Sequence, residues 1–202
     1  MVEVKLTKNA LRDEQHRLDQ LQKYLPTLQL KKAMLQLEVT EAKAELEKVE
    51  REKKGQKEEI KKFSSLFSLP TRFDVQDFVR VKKVNSTIEN IAGVEFPAFR
   101  SIEMEKVDSY LFDMPVWFPG AIKALKALVE IRERAKLVEE KKKALEKELR
   151  NVSIRVNLFD KVLIPRALEN IKKIKIFLQD QYLSAVAQAK VAKEKILKKV
   201  NI

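Results

Sequence analysis

The chain has no cysteine, a single histidine, three glycines and six prolines among its 202 residues. Without cysteine there is no disulfide, no thiol nucleophile and no zinc–thiolate site. His16 sits between Gln15 and Arg17 with no second His or Cys to share a metal, and reads as an exposed helix residue. Gly55, Gly93 and Gly120 lie too far apart to build a phosphate-binding loop. Acidic pairs such as Glu58-Glu59 and Glu139-Glu140 are sequence neighbours on solvated stretches, not carboxylates converging in a cleft. No apolar run approaches the ~18 residues of a membrane span, and Met1 to Lys8 lacks the apolar core of a signal peptide. These absences point to a cytoplasmic, non-catalytic protein with no cofactor, no metal and no direct membrane insertion. So few turn residues also leave little room for loops.

Charge is what the chain has in abundance: 36% of residues are charged, with a net charge of +12. The excess is uneven. Residues 1–62 carry 15 basic and 12 acidic side chains, residues 63–120 carry 6 and 8, and residues 121–202 carry 21 and 10. The last segment is the part that should seek an acidic partner.

Apolar residues recur at alternating steps of three and four from Leu11 to Phe63. Leu11, Leu18, Leu25, Val39, Leu46 and Ile60 occupy one heptad position; Leu21, Leu28, Leu35, Ala42, Val49 and Phe63 occupy the other. Glu14, Lys32, Lys53 and Gln56 interrupt a seam that is apolar at 12 of 16 positions. A repeat of 3.5 residues per turn keeps one stripe facing a partner helix. Pro26 falls inside it, and an interior proline costs ~3 kcal/mol or more. The repeat runs through in register, so a kink is expected, with a short turn before it as the alternative.

A second seam follows Pro119-Gly120: Leu128, Ile131, Ala135, Val138, Lys142, Leu145, Leu149, Val152, Val156, Phe159 and Leu163. It then shifts phase through Ala167, Ile171, Ile174 and Leu178, with two steps of four in succession. This stutter coincides with Pro165 and predicts a bend. Lys32, Lys53, Gln56 and Lys142 either fix the register of the seam or sit where the helices splay and lysine stems snorkel.

Residues 64–120 differ in kind. Phe78-Val79-Arg80-Val81-Lys82 and Ser101-Ile102-Glu103-Met104-Glu105 alternate as strands do, and a Gly turn signal lies between them. Phe63, Phe67, Phe73, Phe78, Phe96, Phe99, Tyr110, Phe112, Trp117 and Phe118 crowd in and around this stretch. The expected fold is mainly α: a long antiparallel two-helix coiled-coil hairpin with a small β-containing head inserted between the helices. Its parts are an N-terminal helix (1–63), the head (64–120) and a C-terminal helix (121–202). Pairing the helices places Leu25 near Leu158 and Leu11 near Lys172. Residues 183–202 are then left over, ~30 Å of unpaired helix. That end is small and basic: Leu183-Ser184-Ala185-Val186-Ala187-Gln188-Ala189, then Lys190, Lys193, Lys195, Lys198 and Lys199. Such a thin helix suits a tight hole with acidic or polar walls.

Three stretches resemble the central-stalk D subunit of V/A-type rotary ATPases and ATP synthases. Thr7 to Val39 is similar to the family's first helix. Asn90-Ile91-Ala92-Gly93-Val94-Glu95-Phe96-Pro97 is similar to its short β motif. Arg155-Val156-Asn157-Leu158-Phe159-Asp160-Lys161-Val162-Leu163-Ile164-Pro165-Arg166 resembles its Arg-Val-Asn…Ile-Pro-Arg signature. The resemblance implies a rotor shaft coupling ATP synthesis or hydrolysis to proton or other ion transport. Both termini would insert into the hexameric A3B3 catalytic head. The middle would face the F subunit and the membrane-rotor adaptor, making the chain peripheral to the membrane. Two rival readings exist. A prefoldin-like chaperone subunit needs exposed apolar helix tips, where this chain has lysines. Nucleic-acid binding has only the basic excess in its favour, with no motif.

Overall fold

The computed structural model describes residues 5–68, 75–105 and 114–200, except the side chains of residues 68 and 197–200. Helix α1 spans Lys8–Lys61 and a single 3-10 turn follows at Leu66–Ser68. A one-turn helix α2 (Val75–Phe78) precedes strands β1 (Val81–Ile91) and β2 (Val94–Met104). Helix α3 (Phe118–Leu158) passes through a π turn (Phe159–Leu163) into helix α4 (Ile164–Val200). The fold is mainly α, with one small antiparallel sheet. The chain forms two compact units: a central unit, Lys32–Asn151, and a terminal unit made of Met1–Lys31 and Val152–Ile202.

In the central unit α1 and α3 run antiparallel, as their ion pairs show. Glu45 meets Lys141 at 3.3 Å and Glu52 meets Arg134 at 3.4 Å, one heptad forward on α1 answered by one heptad back on α3. Lys43 and Glu146 pair at 3.4 Å. Between these flanking charges Leu35, Val39, Ala42 and Val49 are buried against a seam containing Val138 and Leu145, with Leu46 and Leu149 half-buried. Burying each large apolar side chain contributes roughly 1.5–3 kcal/mol, which holds the pair together more firmly than its exposed charges do. The polar exceptions Lys32, Lys53, Gln56 and Lys142 are half-buried. Gln56 uses its position: its side-chain amide donates to the Ala124 carbonyl of α3 at 3.1 Å.

Helix α3 begins at Phe118 and already includes Pro119 and Gly120. A proline in the first turn removes an N–H that has no intrahelical acceptor anyway, so Phe118 begins the helix. Phe118 is fully buried and makes a core with Phe78 and Ile122. Phe78 meets Phe118 edge-to-face at 5.3 Å, Trp117 meets Phe118 at 5.7 Å, and Phe67 meets Trp117 at 5.8 Å. This overturns the reading of Phe78-Val79-Arg80 as strand: Phe78 ends α2 and the strand begins at Val81. The aromatic core claims Phe78, and a local alternation of five residues cannot compete with that burial. Phe73, Tyr110 and Phe112 lie outside the described residues.

The two strands form a hairpin closed by Ala92 and Gly93, with Ile91 opposite Val94. Both turn residues have positive φ, 51° and 82°, the combination a two-residue turn needs to match the twist of its strands. The Asn90 side-chain oxygen accepts the Gly93 N–H at 2.9 Å. Phe96 on β2 is buried, at 2% exposure, with the Lys141 ammonium 5.4 Å from its ring centre. Pro97 sits beside it, half-buried and opposite Ile88.

In the terminal unit α1 starts at an N-cap. The Thr7 hydroxyl accepts the Ala10 N–H at 3.2 Å, satisfying one of the donors left over at a helix start. From here Leu21 is buried and Leu11, Leu18, Leu25 and Leu28 are half-buried. Opposite them Val152, Val156, Ala167, Ile171 and Ile174 are buried, with Phe159, Leu163 and Leu178 half-buried. The seam polar residue Glu14 accepts a hydrogen bond from Asn170 at 3.4 Å. The pairing is antiparallel; Phe159 lies on the seam side, half-buried, and Leu158, which the spacing had set near Leu25, is exposed. Helix α1 continues through Pro26, which is itself exposed. Beside it Thr27 donates its hydroxyl to the Tyr24 carbonyl at 2.8 Å.

The stutter around Pro165 takes the form of a π turn, in which the Ile164 N–H bonds to the Phe159 carbonyl. Phe159, Leu163, Ala167 and Ile171 take three turns to cover twelve residues, where an α-helix would use about 10.8. One residue inserted by an i→i+5 turn supplies the difference and keeps all four on the seam. Pro165 has no N–H, so the i→i+5 ladder stops there.

Candidate functional site

Each unit leaves a different surface open. In the terminal unit α4 outruns α1, whose cap at Thr7 ends the pairing. Leu11, near that end, lines a hollow of about 500 Å³ with Lys175, Leu178, Gln179, Asp180, Tyr182 and Leu183. Every residue from 179 to 196 is exposed. The seam nevertheless goes on along this bare helix: Leu178, Tyr182, Ala185, Ala189, Ala192 and Ile196 follow one another by steps of four and three. Alanine dominates it, so another backbone or a tight wall can approach closely. Lys190, Lys193 and Lys195 are exposed around this line. Lys198 and Lys199 lie on the α4 backbone, with side chains outside the described set.

The signature stretch is divided by burial. Val156 is buried in the seam, whereas Arg155, Asn157, Pro165 and Arg166 are exposed. Ile154, Leu158, Val162 and Leu168 are also exposed, at 60%, 43%, 49% and 49%. Sequence reading missed these four as surface residues. The available signal was their position: they are apolar but off the seam, where charged residues are the norm.

In the central unit the candidate surface is the hairpin and its flank. Phe96, Pro97, Ala98 and Phe99 form a cleft of about 220 Å³ with Glu45, Glu89, Arg134, Leu137, Val138 and Lys141. Gly93 is at the exposed hairpin tip. Nearby on α3, Glu133 is hydrogen-bonded by Lys136 at 2.8 and 2.9 Å and by Arg132 at 3.0 and 3.1 Å. Partial burial opposes its ionisation, but these two cations outweigh burial and hold its pKa below the usual value of 4.5. The Lys143 hydrogen bond and charge lower Glu139 in the same direction. Such pairs describe structural ion pairing, not an acid or base directed at a substrate.

Among the described residues no His, Cys, Asp or Glu cluster is arranged to hold a metal, and no helix is long and apolar enough to cross a membrane. What the arrangement offers is surface: an antiparallel helix pair, a hairpin and a bare basic helix end. That defines the class, a coiled-coil protein built for contact with other proteins.

Relatives narrow the class. A sequence model for the family described as the ATP synthase D subunit matches residues 10–194. The V-type ATP synthase D subunit of Chlamydia pneumoniae is 43% identical over 196 residues, covering 96% of this chain and 94% of that protein. Its counterpart in Chlamydia caviae is 42% identical over 195 residues with the same coverage. That of Borreliella burgdorferi is 40% identical over 199 residues, covering 98% of both. The chain belongs to the ATP synthase D-subunit family and is a component of the V-type rotary ATPase class.

Proposed function

We propose that this chain is the central-stalk rotor shaft of a V/A-type ATPase or ATP synthase, transmitting torque between an A3B3 catalytic head and the membrane rotor. The single observation that carries the reading is the bare end of α4: its seam continues for about five turns beyond the Thr7 cap without a partner helix among the described residues. A self-sufficient coiled coil has no use for that extension, whereas a shaft seated in a bearing does. Lys190, Lys193 and Lys195 face the walls of that bearing, and Lys198 and Lys199 follow on the same helix. The work divides along 1–63 and 121–202 as the shaft helices and 64–120 as the part turned toward the F subunit and the membrane-rotor adaptor. The seam residues Leu18, Leu21, Leu25, Leu28, Leu35, Leu46, Leu145, Leu149, Val152, Val156, Phe159 and Leu163 give the shaft its stiffness. Nucleotide chemistry belongs to the A and B subunits, so this chain is non-catalytic and peripheral to the membrane.

A prefoldin-like chaperone would carry apolar side chains at both helix tips without the lysines, so the observed tip argues against that rival. Co-expression with A and B subunits should yield a complex with one copy of this chain per hexamer. Deleting residues 183–202 should weaken assembly or coupling and leave the thermal melt of the isolated chain nearly unchanged. An assembled hexamer that excludes the full-length chain would overturn the reading.

A further inference from the structure

We infer that the β-hairpin is a brace laid along a soft joint in the α1–α3 pair, fixed near its far end by Phe96. Releasing Phe96 lets the joint open while the packed seam next to it stays closed. The device lies wholly within the central unit and does not depend on the rotor reading.

The joint is visible on both helices. No residue of 50–62 on α1 is buried, and none of 123–137 on α3. These stretches face each other, since the Glu52–Arg134 ion pair and the Gln56–Ala124 hydrogen bond both cross between them. Beyond one end lies the packed seam of Val49, Val138 and Leu145; beyond the other lies the core of Phe78, Phe118 and Ile122. The cause is in the sequence: Lys53 and Gln56 hold the α1 seam positions across from a stretch of α3 that offers Leu128, Ile131 and Ala135. Gly55 loosens the same place. A Cβ there would meet nothing within 4 Å, so packing does not call for glycine, which is the poorest helix former after proline. A stretch with few buried apolar contacts is where a structure opens first.

The hairpin spans that stretch. At its root Phe78 and Val79 pack into the aromatic core. Further along, Phe96 lies in the cleft with Val138 and Lys141, on the other side of the joint. From Ile122 to Val138 helix α3 rises about 24 Å. From Val81 to Glu89, the partner of Phe96, strand β1 extends about 26 Å. The arm and the joint therefore match in length. Phe96 is the one residue of the two strands that is buried, so the arm is held at this end by a single apolar anchor. Lys141 ties that anchor to both helices: its ammonium lies 5.4 Å from the Phe96 ring centre and 3.3 Å from the Glu45 carboxylate of α1.

The test is native-state hydrogen exchange of the full-length chain, read by mass spectrometry. Amides of 51–62 and 124–131 should exchange about tenfold or more faster than those of 35–49 and 138–149. Phe96→Ala should speed exchange in 51–62, which lies outside the Phe96 cleft, about tenfold further and leave 35–49 nearly unchanged. Gly55→Ala should slow exchange in 51–62 about fivefold. Equal rates for the two groups in the wild type, or a Gly55→Ala variant with unchanged rates, would remove the joint and overturn the inference. Phe96→Ala speeding all four stretches alike, or none, would remove the brace and overturn it too. If Phe96→Ala does not fold, Phe96→Leu replaces it, keeping an apolar anchor without the ring beneath Lys141. Faster exchange in 51–62 alone then supports the brace, and wild-type rates there overturn it.

Discussion

The central and terminal units use the same device, two antiparallel helices with a seam between them, and leave it in opposite states. In the central unit 25 basic residues are balanced by 22 acidic ones. The charges are spent within the chain: Glu45 with Lys141, Glu52 with Arg134, Glu133 with Lys136 and Arg132. Its aromatic residues close over one another around Phe118. In the terminal unit the basic excess is large and exposed, an apolar line faces outward at the π turn, and the seam runs on after its partner helix has stopped. The difference teaches where to look for binding. A region that has satisfied its own charges and apolar surface is stable alone, and one that has not is waiting for something else.

The largest expected effect breaks the self-satisfied side of that comparison. Phe118→Ala removes a fully buried ring from the core it shares with Phe78 and Ile122. It should cost about 3–5 kcal/mol, measured by chemical or thermal denaturation. The deletion of residues 183–202, on the open side, should cost almost nothing by the same measurement. If the two losses were equal, the contrast between the units would fail.

A smaller effect sharpens it within the central unit. Ala92 holds φ at 51°, a left-handed conformation that a Cβ makes unfavourable by roughly 1–2 kcal/mol. Ala92→Gly should stabilise the hairpin by about 1 kcal/mol or less, because glycine's greater freedom in the unfolded chain offsets part of the relief. Hydrogen exchange of the hairpin amides would record it as slower exchange.

The smallest effect concerns pH. The Glu133 pKa is lowered in the folded chain, so its contribution is present above its unfolded value and disappears as pH falls through the lower folded value. Stability of wild type should therefore fall below about pH 4.5 more steeply than that of Glu133→Gln. Identical acid profiles would show that the Lys136 and Arg132 contacts contribute nothing.

The helices were legible because each long seam repeats locally; every turn adds another vote for the same period. The antiparallel direction of the pairing was legible from the two seams, with Phe159 already placed on the second one. What spacing did not show is that Leu158, set near Leu25, is left exposed. The successive steps of four around Pro165 suit either a bend or an inserted residue, and only the Ile164-to-Phe159 hydrogen bond distinguishes them. Phe78 was misread for a related reason: its alternation with Val79, Arg80 and Val81 is local, while the Phe118 ring that buries it lies forty residues away.

By itself, then, the sequence determined the helical seams, a β-containing segment between them and the surplus of basic residues at the C-terminal end, all features written in nearest-neighbour spacing. The tertiary structure decided which apolar residues the seam consumes and which it leaves outside. That choice depends on the angular position of each residue around its helix, and a single π turn resets it for every residue downstream.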